Sequence, residues 1–232
     1  MNELSESIAW PSHDARWVSK VLLNGLILLI PVLGQLVVLG WMLTALDNLR
    51  AGHPVLPRAG FSYAGRGVNL FVVYLVYGLA ISVLFGVLFG AGYRLTLTGG
   101  DGATLFGISL IVLGYGLVLL AVLALALLGP VLIVATERGG ILGGLNVAAV
   151  TRLVTADVEE AFRAGLFGLV ASVIGGLGAI ACLVGQAFTA PYGYAVLAGV
   201  VHCYERQTAS RSTTTPVTES RQPGSRRKET AR

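Results

Sequence analysis

Four stretches of this chain contain no Asp, Glu, Lys or Arg: 21–46, 67–93, 102–136 and 164–204. Runs of 26, 27, 35 and 41 uncharged residues leave few ways to fold. A soluble domain of this size would carry about a quarter charged residues, against 12% here. A bilayer core of about 30 Å takes about 20 helical residues at ~1.5 Å each. The pattern predicts an all-α polytopic integral membrane protein and excludes a water-soluble globule. Two cysteines in the whole chain exclude a disulfide-stapled extracellular scaffold.

The second and third stretches each hold one span, near 68–92 and 105–128. The fourth has room for a helical hairpin over 164–205. Its break is expected from Val184-Gly185-Gln186 to Thr189-Ala190-Pro191, where proline restarts the helix. Pro31 and Gly34 interrupt the first stretch. Residues 17–49 are therefore either one kinked span or a hairpin of two short helices, near 17–30 and 34–49. Loop charges weigh the two. With 50–66, 136–163 and 206–232 facing the cytoplasm, a hairpin puts fifteen of the sixteen bases inside, leaving Arg94 alone outside. A single span puts thirteen inside. The hairpin is favoured, giving about six helices with both termini cytoplasmic in the cell (plasma) membrane; five spans is the fallback.

Residues 1–16 then form a cytoplasmic N-terminus, with no signal-peptide pattern, because Glu3 and Glu6 precede any base. The helical membrane domain is 17–206. Within it, 144–163 reads as an amphipathic helix along the inner surface, with Val147, Val150, Val154, Val158 and Phe162 on one stripe. Asp157 and Glu160 resemble a capping box at which that helix restarts. Trp17 and Tyr204 are expected at the inner interface and Tyr93 at the outer. Residues 207–232 read as a disordered basic tail whose +4 equals the net charge of the chain. Such a tail attracts anionic lipid; with no aromatic platform beside it, nucleic acid is not expected as a partner.

Short Gly/Pro signatures within the apolar sequence carry a resemblance. They are Trp17 to Lys20, Ile30-Pro31-Val32-Leu33-Gly34-Gln35 with Gly40-Trp41-Met42-Leu43, and Gly52 with Leu56-Pro57. The segment from Gly178 through Cys182, Gly185 and Thr189 to Pro191, and Tyr204 beyond it, complete the set. Over 10–206 the chain resembles a bacterial and archaeal multipass family catalogued as domain of unknown function 4013. It departs from the family in Arg58-Ala59, where an acidic or aromatic residue is expected after Leu-Pro. The resemblance implies a membrane protein of unknown activity and carries over no catalytic residue.

The residues themselves offer little chemistry. His13, His53 and His202 lack metal-ligand spacing, the cysteines form no CxxC, and no Asp, Glu or Lys lies inside the apolar stretches, where His202, the cysteines and the tyrosines are the ionisable residues. No catalytic, cofactor-binding or metal site is expected, and no enzymatic activity. Gln35 and Gln186 each follow a glycine at an expected helix break, and with Thr189 they form a candidate polar site. Such a site either lines a substrate path or satisfies backbone groups freed at its own turn. Small residues recur every fourth position at Gly78, Ser82, Gly86 and Gly90. They do so again at Ala164, Gly168, Ser172 and Gly176. Such stripes let helices approach closely, within the chain or in a homo-oligomer or complex with another membrane protein. The expected function is that of a structural or accessory membrane component; the alternative is a small-solute permease built on the helix breaks.

Overall fold

The computed structural model describes residues 2–178 and 182–214. They form α1 (Asn2–Ala9), α2 (Trp17–Leu28), α3 (Leu33–Arg50), α4 (Ala64–Thr98), α5 (Asp101–Leu145), α6 (Val147–Ala156), α7 (Val158–Leu177) and α8 (Cys182–Thr214), with 3-10 turns at Trp10–His13 and Phe61–Tyr63. No strand occurs among the described residues. Three segments, Phe61–Thr98, Asp101–Leu145 and Val158–Leu177, are long and apolar enough to cross a membrane.

The first charge-free stretch is two helices. Pro31 ends α2, and Val32 then adopts φ 66 and ψ −59, with the Leu33 N–H donating to the Pro31 carbonyl at 2.7 Å. That is a γ-turn in its strained form, held by a β-branched residue. Gly34 follows because a Cβ there would overlap the Ile27 carbonyl. α2 has 12 residues, so it reaches only about 18 Å.

α4 and α5 are longer than the expected 68–92 and 105–128, at 35 and 45 residues. Gly99-Gly100 is the first place where α4 can stop, and the two helices pack as an antiparallel hairpin. α5 passes through Pro130 and breaks at Gly140, where φ is +62. Beyond that break the chain folds back, placing Gly143 against the Ala135 carbonyl.

The expected break at 184–191 is corrected. α7 ends at Leu177, and α8, which begins at Cys182, runs on through Gly185 and Pro191. Pro191 has no N–H for the Ala187 carbonyl four residues earlier. Gly25 of α2 lies directly against that carbonyl, with no space for a Cβ. A freed carbonyl is covered by a close helix approach instead of by a turn.

The amphipathic segment 144–163 is two helices, and the second starts at the expected capping residue Asp157. Asn146 caps α6, accepting from the Ala149 N–H at 3.1 Å. Asp157 interrupts the helix in an extended conformation and caps α7, accepting from the Glu160 N–H at 3.3 Å. Val150 is buried while Val147, Val158 and Phe162 are exposed, so the expected stripe does not form one buried face.

The N-terminal segment packs on α8: Trp10 is buried beside Gly199 and its indole N–H donates to the Ala195 carbonyl at 3.1 Å. One expectation at the other end changes. Residues 207–214 continue α8, and Arg211 meets both oxygens of Asp157 at 2.9 Å and Glu160 at 2.9 Å. The rest of the expected tail, 215–232, lies outside the described residues. Tyr204 is buried, its hydroxyl donating to the Leu153 carbonyl at 3.5 Å. A chain ending at Thr214 should keep the wild-type melting temperature in detergent. A chain ending at Arg206 loses the Arg211 contacts and should melt lower by about 2–4 °C, the equivalent of about 1 kcal/mol for a half-exposed pair. Equal melting of the two would show that Arg211 contributes nothing.

Trp41, Met42, Leu43 and Leu46 of α3 fill the core with Val131 to Ile133 of α5 and Val196 and Val200 of α8. Glycines set the helix contacts. Gly40 faces the Tyr63 carbonyl, Gly67 the Leu36 carbonyl, Gly165 the Leu127 carbonyl, and Gly92 the Gly107 carbonyl, where a Cβ would lie at 2.6 Å. The expected stripe on α4 is not among these contacts. A Cβ at Gly78, Gly86 or Gly90 would meet nothing within 4 Å, and Ser82 is exposed. Adjacent Gly92 lies on the packed side because two residues turn the helix face by about half a revolution. On α7, Gly168 does pack: a Cβ there would lie 3.0 Å from Pro130 Cγ. Ala164 is buried, whereas Ser172 and Gly176 are exposed.

Candidate functional site

The ionised side chains gather at one end of the molecule, where α2 and α4 begin and α3, α5 and α8 finish. Arg50 grips Glu205 through two nitrogens, at 2.9 and 2.7 Å, and reaches Asp47 at 3.1 Å and Glu137 at 3.3 Å. Arg66 bridges Asp47 at 2.8 Å and Glu137 at 3.0 Å. Hydrogen bonding to Glu205 outweighs partial burial and holds the Arg50 guanidinium even more firmly protonated than usual. Asp14 accepts from Lys20 Nζ at 2.6 Å and from the N–H groups of Arg16 and Leu56 at 2.9 and 3.1 Å. Burial alone would push this carboxyl up; those donors together hold it below the usual range. Each carboxylate in this layer is engaged by a base, which is the arrangement of a structural clamp. No group of three or more His, Cys, Asp or Glu that could hold a metal ion occurs among the described residues.

Further along the helices lies a polar cluster of another kind. Gln35 sits in the first turn of α3, just past the strained Val32, and its Oε1 accepts from the Tyr194 hydroxyl of α8 at 3.4 Å. One cavity of about 460 Å³ is lined by Gln35, Tyr74, Ser172 and Tyr194. A second of about 290 Å³ is lined by Ser172, Gln186 and Tyr194. Ser172, Tyr194 and Leu197 belong to both, so this wall joins the Gln35 side to the Gln186 side. Gln186 Oε1 is buried without a hydrogen-bond partner. An oxygen so placed is an acceptor for a hydrogen-bond donor that enters the cavity.

The three residues expected to share a polar site separate into two roles. Gln35 and Gln186 line neighbouring cavities, Gln35 beside a helix break and Gln186 within the continuous α8. Thr189 instead closes the α7–α8 turn, accepting from the Gly178 N–H at 3.1 Å and lying 2.9 Å from the Gly175 carbonyl. Tyr74 and Tyr194 were not singled out in the sequence. Their signal was position: both lie well inside a charge-free stretch, away from the ends where tyrosine serves as an interface anchor.

Comparison with known proteins adds one relationship. The model of a family described as protein of unknown function, DUF4013, matches residues 23–184. No curated protein and no solved structure matches the chain.

Proposed function

The chain belongs to the DUF4013 family, and from that premise we propose a non-enzymatic, multipass component of the cell membrane that works by packing against other protein within the bilayer. One observation carries this reading. On α4 the open stripe of Gly78, Ser82, Gly86 and Gly90 runs beside a ridge of Leu75, Leu79, Val83 and Val87, each more than half exposed. A ridge next to a small-residue groove is the relief that a helix of a second copy, or of another membrane protein, fits. In the proposed orientation α2–α3 and α7–α8 are hairpins and α4 and α5 full spans, six helices in all. The ionic layer marks the cytoplasmic end, with both termini there. The charge distribution supports it, since Arg94 and Asp101 alone lie at the opposite end of the α4–α5 hairpin. Gly86→Leu should leave the melting temperature of the protomer unchanged and abolish a crosslinked or native-gel oligomer. An oligomer that survives it, or a wild-type protein monomeric in nanodiscs, would overturn the packing reading.

Gln186 favours a second reading, a small-solute permease using the joined cavities. Replacing an unsatisfied buried amide with an apolar side chain relieves a penalty of about 1–3 kcal/mol. Gln186→Leu should therefore melt at or above wild type. As a permease the variant would also lose glycerol or urea uptake in proteoliposomes; uptake equal to that of protein-free vesicles in both proteins would exclude this reading.

A further inference from the structure

We infer that Arg138 and Arg152 form a binding site for a phosphate group, and that the group belongs to an anionic membrane lipid. Four other arginines at the ionic end, Arg50, Arg66, Arg163 and Arg211, each pair with carboxylates. Arg138 and Arg152 have no ion pair among the described residues; Arg152 Nε spends one donor on the Ala148 carbonyl at 3.3 Å. Both line one open cavity of about 340 Å³ between the end of α5 and α6, and no carboxylate lines it. Two acids share an adjoining cavity with Arg138, and both are already taken: Asp157 by Arg211 and Glu205 by Arg50; its chain neighbour Glu137 is held by Arg50 and Arg66. Two guanidiniums without counterions facing one space are suited to the oxygens of a phosphate, which they bind in fork geometry.

The remainder of the lining names the source of that phosphate. Ala135, Gly139, Gly143, Ala149 and Leu153 are apolar or have no side chain, and a Cβ at Gly139 would meet nothing within 4 Å. On the same reversal Leu142 and Val147 are 80% and 68% exposed. A free anion has no use for such a rim, whereas a lipid lays its glycerol and acyl chains along it. This assignment rests on the membrane orientation proposed above, which places the cavity at headgroup level.

The test uses the full chain in nanodiscs of phosphatidylcholine, with and without phosphatidylglycerol, reading the melting temperature and the apparent affinity for phosphatidylglycerol. Phosphatidylglycerol should stabilise the wild type, and less so in high salt. The double variant Arg138→Gln/Arg152→Gln should bind it about 30-fold more weakly, while Arg58→Gln, at an exposed loop position outside the cavity, should bind as wild type. Equal loss in both would show a diffuse charge effect and overturn the site, as would no loss in the double variant. Inorganic phosphate giving the same stabilisation in phosphatidylcholine alone would make it a free-anion site. Failure of the wild type to enter phosphatidylcholine nanodiscs at all would instead overturn the membrane reading on which it depends.

Discussion

Gly25→Leu should be the most damaging single substitution in the chain. The backbone of α2 lies on the Ala187 carbonyl of α8, the carbonyl that Pro191 leaves without a partner, and there is no space for a Cβ. The obstacle is backbone, which cannot rotate aside as a side chain would. Parting the two helices exposes that carbonyl and uncouples the short α2 from the bundle. The expected cost is at or above the upper end of the ~1–3 kcal/mol usual for overpacking. Melting temperature and recovery of monodisperse protein in detergent measure it, and Gly25→Ala should already show part of the loss. Wild-type melting of Gly25→Leu would mean that α2 does not hold this position.

Arg50→Ala should have the next largest effect. It removes the base shared by Asp47, Glu137 and Glu205 and leaves Arg66 to balance three carboxylates. The layer is partly exposed, so the 3–5 kcal/mol of a fully buried broken pair is reduced, to about 2 kcal/mol here. Arg50→Lys should recover little, because an ammonium cannot span both oxygens of Glu205. Adding Glu205→Gln to Arg50→Ala should restore part of the stability, since it removes the carboxylate left unpaired. Chemical denaturation of the single and double variants reads the coupling; additive losses would show that Arg50 and Glu205 act independently.

The sequence was legible where a single strong rule acted. Charge-free runs located the apolar helices, and Pro31 with Gly34 marked the reversal between α2 and α3, because proline cannot continue a helix whatever surrounds it. At Pro191 the same rule misled. Its effect depends on what meets the freed Ala187 carbonyl, and that partner is Gly25, more than 160 residues away in the chain. The glycine stripes did not tell contacts within the chain from an open face. Period four identifies a face of a helix, but not which face turns inward, so Gly86 lies open while Gly92 packs. Of the polar site, Gln35 and Gln186 could be found as amides in apolar sequence. Tyr194, which joins their cavities, was marked only by its place well inside a charge-free stretch, which does not say what its hydroxyl meets. Arg138 and Arg152 stand out only once the structure puts both on one cavity that no carboxylate lines.

The shortness of α2 has a mechanical consequence for the bilayer. At about 18 Å, a hairpin entering from the cytoplasmic side ends near the middle of a ~30 Å hydrocarbon core. In the proposed orientation its cross-section is added to one leaflet and withheld from the other, so the protein is a wedge. Lipids of the inner leaflet must spread around it, and the outer leaflet must close over the tip at Val32. A membrane crowded with such wedges relaxes by bending, with the inner face convex, and the protein should in turn gather where that curvature already exists.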